Sequence, residues 1–125
     1  MSVTESAENY LEAILMLSEK KSEIHAADIC AQLGFSRPTV SVMLKNLRHE
    51  NYVTVDEFNH VRLTESGNVI AERIYERHKL LAKMLISLGV DPVTAYEDAC
   101  KLEHDISDES FSCIKKHFAE RNPEG

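Results

Sequence analysis

The most constraining stretch is residues 26–63, "AADICAQLGFSRPTVSVMLKNLRHENYVTVDEFNHVRL", where two helical periodicities flank one glycine and a strand alternation follows. Ile29 and Leu33 fall four apart, and Gly34 supplies a C-terminal stop. Ser36 is an N-cap, Pro38 sits in a first turn where a missing N–H is harmless, and Val40, Leu44 and Leu47 line one face. Val53 and Val55 alternate, Asp56 to Asn59 form a turn, and Val61 and Leu63 alternate again, which is the pattern of a β-hairpin. Helix, tight turn, helix and hairpin together give the order of a winged helix-turn-helix. In that fold the second helix enters a major groove and the hairpin touches the flanking backbone.

The flanks read as helical. Tyr10, Leu11, Ile14, Leu15 and Leu17 recur at helical spacing, behind a Ser2-x-x-Glu5 capping box. Thr64 caps a long helix reaching about Leu88, with Ile70, Ile74, His78, Leu81 and Leu85 as its inner stripe and Gly89 as its stop. Asp91-Pro92 opens a helix carrying Tyr96, Cys100 and Glu103. Ser107 opens a last one with Phe111, Ile114 and Phe118 inward, and the terminal "RNPEG" reads as a frayed end. The expected fold is mainly α, a winged helix-turn-helix followed by a helical domain, with the boundary near Thr64 to Gly67.

Composition narrows the setting. The 125 residues are 43% apolar, enough for a core but without an uninterrupted apolar run of membrane-spanning length. The first residues lack the basic start and apolar run of a secretory signal, so a cytoplasmic protein with no membrane partner is expected. Cys30, Cys100 and Cys113 are too few and too irregularly spaced for a disulfide framework, and reduced thiols are expected. The net charge of -7 is unevenly distributed. From Ser36 to Arg48 the ionic residues are Arg37, Lys45 and Arg48 with no acid. From Asp91 to Ser110, seven acids face Lys101 alone. The two halves are built for different partners.

On the basic segment, Ser36, Thr39 and Ser41 suit phosphates or base edges, Arg37 has the fork to read a guanine, and Pro38 sets the start of the helix. Lys45 and Arg48 suit phosphates, and His60 and Arg62 fall on the wing. The alternatives on these residues are an ordinary solvated helix or a winged helix that binds protein.

The acidic half contains "DACKLEHD". At about 100° per residue, Cys100, Glu103 and His104 fall within an arc of roughly 100° on one helix face. Sulfur, oxygen and nitrogen together suit a divalent transition metal, but three donors do not complete a coordination sphere. His78 on the long helix and Asn9 with Glu12 on the first helix are the candidate completions. Taken singly, each has an ordinary structural explanation. A cysteine–histidine enzyme site is the competing chemistry, but no Gly-rich loop or oxyanion-hole motif accompanies it and no small organic substrate is expected.

"SAENYLEAILML", "RPTVSVMLKNL", "LTESGNVIAERIYERHKLLAKMLISLGVD" and "EDACKLEHDISDE" resemble the diphtheria toxin repressor and manganese transport regulator family of metal-dependent transcriptional repressors. The resemblance implies a winged helix-turn-helix DNA-binding domain over residues 1–64 and a helical metal-binding and dimerisation domain over 65–125. It also implies a homodimer on double-stranded operator DNA, repression of metal uptake genes, and an end like that of the shorter members, which lack an SH3-like domain. The iron-type ligand pattern falls on Asn9, where those members have methionine, and on Cys100, Glu103 and His104, which match. The manganese-type pattern falls on Asn9 in place of aspartate, on Glu12 and His78, on Cys100 in place of glutamate, and on Glu103 and His104. Two iron-type ancillary positions are Ala82 and Tyr96, neither a good ligand. The chain is a hybrid of the two types. Thiolate favours iron(II) over manganese(II), so iron(II) is the expected ion and manganese(II) the alternative, with zinc(II) or cobalt(II) as laboratory substitutes. A metal-independent winged-helix regulator is the remaining alternative.

Overall fold

The computed structural model describes residues 4–121. In chain order it contains α1 (Glu5–Ser18), α2 (Ala26–Leu33), α3 (Arg37–His49), β1 (Val53–Val55), β2 (Val61–Leu63), α4 (Glu65–Ser87), α5 (Pro92–Asp105) and α6 (Asp108–Arg121). The chain divides into two compact units, Met1–Arg73 and Ile74–Gly125, so the division falls within α4.

In the first unit, α1 starts one residue after Thr4, whose hydroxyl accepts from the Ala7 N–H at 3.1 Å. Thr4 therefore does the work expected of the Ser2-x-x-Glu5 box, and Ser2 lies outside the described residues. At the head of α2 the Asp28 carboxylate accepts from the His25 N–H at 2.8 Å and from Lys21 at 2.7 Å. The Lys21 hydrogen bond, seconded by that of His25, holds the Asp28 carboxyl below the ordinary aspartate value of 3.8. Gly34 ends α2 in the left-handed region at φ 74°, a conformation that costs glycine no Cβ clash, and its N–H reaches the Cys30 carbonyl at 2.8 Å. Ser36 then caps α3 through the Thr39 N–H.

The two strands pair antiparallel with Val53 opposite Leu63 and Val55 opposite Val61. The connecting turn is held by Asp56, whose carboxylate accepts from the Phe58 and His60 N–H groups at 2.8 and 2.9 Å. Tyr10, Leu11, Ile14, Ile29, Val40, Leu44, Leu47, Val53 and Val61 form one buried core, so both helices of the turn motif and the hairpin are fixed to α1.

Where the hairpin meets α4, Thr64 accepts from the Gly67 N–H at 3.1 Å and donates to the Asn51 carbonyl at 2.7 Å. A Cβ on Gly67 would lie 2.0 Å from the Tyr52 carbonyl oxygen, a main-chain atom that cannot swing aside. In the second unit, Leu81, Ala82, Ala99 and Phe111 make a smaller core, flanked by Leu80, Met84, Ile106 and Ile114. Asp91 caps α5 through the Val93 N–H, and Ser107 caps α6 through the Ser110 N–H. No helix among the described residues is long and apolar enough to cross a membrane.

Two outcomes test these joints. Gly67→Ala lowers unfolding stability by about 2–3 kcal/mol, the scale of overpacking against rigid surroundings. An unchanged denaturation midpoint would show that the Tyr52 carbonyl can move. For Asp28→Asn, the depressed folded-state pKa places its stabilisation above an aspartate's ordinary 3.8, and that stabilisation is lost as pH falls through the folded value. The substituted chain therefore melts a few degrees lower at neutral pH, and melting curves converge with those of the parent on acidification. A constant gap at all pH values would contradict the assignment.

Candidate metal centre and nucleic-acid face

The second unit collects the donors that the helical arc anticipates. Asp91 and Pro92 start α5 so that Ala95 and Ala99 face inward, and the same side of the following turn carries Cys100, Glu103 and His104. One ligand atom from each of these three lies within 4.8 Å of the other two. Donors about 2.0–2.3 Å from a shared ion sit at most roughly 4.6 Å apart, so small side-chain rotations suffice to seat one. Glu103 is 1% exposed. Its Oε1 lies 3.4 Å from His104 Nε2, and its Oε2 lies 3.5 Å from Nδ1 of His78 on α4. The Tyr96 ring stands edge-on to His78 with centroids 6.0 Å apart.

Removing a carboxylate from water costs several kcal/mol unless positive charge or hydrogen bonds answer it. Here two imidazoles and a thiol surround that carboxylate. Imidazole and thiolate are borderline-to-soft donors and the carboxylate a hard one, a combination suited to a first-row divalent ion. The residues present fit such an ion.

In the first unit, Glu12 is 5% exposed, and Asn9, three residues before it on α1, is half-buried. Neither is the solvent-facing side chain that its residue type ordinarily makes on a helix surface.

The polar side chains of α3 point outward. Ser36, Arg37, Pro38, Thr39, Ser41, Lys45 and Arg48 are all exposed, while Val40, Leu44 and Leu47 are buried beneath them. A groove of about 300 Å³ runs between α3 and the hairpin, lined by Arg37, Ser41, Lys45, Arg48 and Asn59 among others. Arg62 on β2 is exposed. His60 is placed differently. Its side chain is 16% exposed, with Nε2 3.6 Å from Glu23 and Nδ1 3.4 Å from Asp56.

Three side chains escaped the sequence reading. Asn46 and His49 line a shallow surface hollow with Lys45 and Arg48, on the face of α3 that the basic residues already mark. The third is Arg77, 7% exposed. Its signal was available, because position 77 lies three after Ile74 and four before Leu81, on the apolar stripe of α4. An arginine on that stripe needs acceptors.

Known proteins supply a context for both sites. Residues 2–61 match the iron dependent repressor N-terminal DNA binding domain, and residues 64–125 match the iron dependent repressor metal binding and dimerisation domain. An HTH-type transcriptional regulator of Methanocaldococcus jannaschii is 36% identical over 115 residues, which cover 90% of this chain and 92% of the relative. Transcriptional regulator MntR of Escherichia coli is 34% identical over 111 residues, 89% of this chain and 72% of that protein. Among solved structures, the manganese regulator SloR aligns with a TM-score of 0.79 at 31% identity, covering 94% of this chain. The chain spans 54% of that structure's length. With both domain descriptions matched in the order DNA-binding then metal-binding, the chain belongs to the iron-dependent repressor family of metal-dependent transcriptional regulators.

Proposed function

We propose that this chain is a cytoplasmic repressor of metal uptake genes. In this reading it binds double-stranded operator DNA as a homodimer when Asn9, Glu12, His78, Cys100, Glu103 and His104 hold a divalent transition metal. The observation that supports this most directly is Glu103, a buried carboxylate with His78 and His104 on its two oxygens and the Cys100 thiol in reach. Asn9 contributes a neutral amide oxygen and Glu12 a second carboxylate.

A bound dication adds positive charge beside the carboxylates. Two carboxylates about 4 Å apart repel by roughly 4 kcal/mol at an effective dielectric of 20. Moving a two-state equilibrium from 1:99 to 99:1 takes about 5.5 kcal/mol, so relief of one such repulsion is of the right size to switch a conformation. In this reading metal occupancy and operator affinity are linked equilibria, each raising the other. The Cys100 thiol must lose its proton to ligate, which makes occupancy pH-dependent. On the DNA side, Arg37, Thr39 and Ser41 of α3 meet base edges or phosphates, while Lys45, Arg48 and Arg62 neutralise phosphates. Two recognition helices in a dimer then read half-sites one helical turn, or a multiple, apart.

Iron(II) is the preferred ion in this proposal, because Cys100 adds thiolate to the donor set and manganese(II) favours oxygen donors. Manganese(II) is the second reading. It is favoured by the relatives, since SloR is named a manganese regulator.

Operator binding at fixed salt, with chelator and then with iron(II) held anaerobically, manganese(II) or zinc(II), tests the function. Glu103→Gln abolishes the metal-dependent gain while sedimentation still shows a dimer. Retained stimulation in that variant refutes the role of Glu103, and equal affinity with and without chelator in the parent chain refutes metal control. Cys100→Glu shifts preference toward manganese(II), and unaltered selectivity in paired titrations would remove Cys100 from the ligand set.

A further inference from the structure

The turn that carries Glu103 and His104 is the last of α5, which ends at Asp105, and α6 begins at Asp108. The last carbonyls of a helix have no donor within it, and such turns fray unless something caps them. Here the cap comes from α4. Arg77 Nη1 donates to the Glu103 carbonyl at 3.3 Å and to the Ile106 carbonyl at 3.2 Å. Its Nη2 pairs with the Asp108 carboxylate, and its guanidinium carbon stands 5.0 Å from the centroid of the Phe111 ring. One cation thus meets the negative end of the α5 dipole, the first residue of α6 and an aromatic face.

We propose that Arg77 is the positioning residue of the metal-binding turn, setting the affinity of the Cys100, Glu103 and His104 donors for a divalent cation without being a ligand. The inference rests on the metal reading above. Adjacent residues of α4 hold Glu103 in two ways, since Arg77 binds its main-chain carbonyl and His78 faces its carboxylate. A donor on a frayed turn must be ordered when the ion arrives, and that conformational entropy is subtracted from binding. A capped turn has lost it already. Arginine suits the task because its planar fork satisfies several acceptors at once while its face lies against a ring. Lysine keeps the charge but has no planar face and offers a point cation.

A merely structural arginine would change how readily the chain unfolds but not how tightly the folded chain holds an ion. The test therefore titrates cobalt(II) and manganese(II) into the full-length folded chain by competition with a fluorescent chelator. It runs on the parent, Arg77→Met and Arg77→Lys, alongside metal-free melting curves and amide exchange at residues 103–107. Arg77→Met is expected to weaken cobalt(II) binding by about 10–100-fold, the usual cost of losing a residue that orients a ligand. It should also dim the cobalt–thiolate absorption and speed exchange in the turn, and Arg77→Lys should recover part of the affinity.

Affinity indistinguishable from the parent in Arg77→Met overturns the proposal, whatever happens to the melting temperature. If that variant does not fold, Arg77→Lys decides by the same criterion, since its loss of planar geometry must lower affinity. Failure of the parent chain itself to bind either ion overturns the metal reading and this inference together, whereas normal binding by all three chains overturns this inference alone.

Discussion

A carboxylate held out of water sets the terms for the second unit. Glu103 is almost wholly buried, and ordinary packing gives no reason to keep an acid there when a leucine would fill the space at no electrostatic cost. Its surroundings answer the charge in layers. His78 and His104 lie at its two oxygens, Cys100 lies beside it, and Arg77 holds the main-chain carbonyl of the same residue. Around this acid the α5 caps, the small inward residues Ala95 and Ala99, and the Arg77 anchor to α6 act together as a support for one side chain.

The first unit follows a different electrostatic logic. In a chain of net charge -7, α3 shows solvent Arg37, Lys45 and Arg48 with no acid among them, while its apolar side is fixed to α1 and the hairpin. Local charge, not the total, decides what a surface meets at distances near a Debye length of about 8 Å. Acids near this face are engaged elsewhere. Asp56 accepts two main-chain N–H groups within the hairpin turn, and Glu23 lies against His60. The His60 ring, set between those two carboxylates, ties the wing to the segment ahead of α2 and presents less of itself to a ligand than Arg62 does.

In the first unit, rigid local stops place chemistry. Gly34 ends α2 in the left-handed region two residues before Ser36 caps α3, and Gly67 lets the first turn of α4 approach the Tyr52 carbonyl more closely than any side chain would allow. Loss of Gly34 would disturb the turn ahead of α3, which carries the basic residues.

The amino-acid sequence by itself determined the elements and their faces. Gly34, the Ser36 cap with Pro38 behind it, the hairpin alternation, the Asp91-Pro92 start of α5 and the 100° arithmetic of Cys100, Glu103 and His104 are all local rules, acting within one or two turns of chain. They were legible for that reason. Only the tertiary structure decided that Glu12 is buried, that His60 sits between Glu23 and Asp56, and that Arg77 caps a helix 26 residues further along the chain. Even the cap of α1 moved to Thr4, because several hydroxyls near a helix start compete and main-chain geometry chooses among them. Long polar side chains reach across the fold, and what they meet depends on which other element ends nearby. No periodicity within their own segment carries that information.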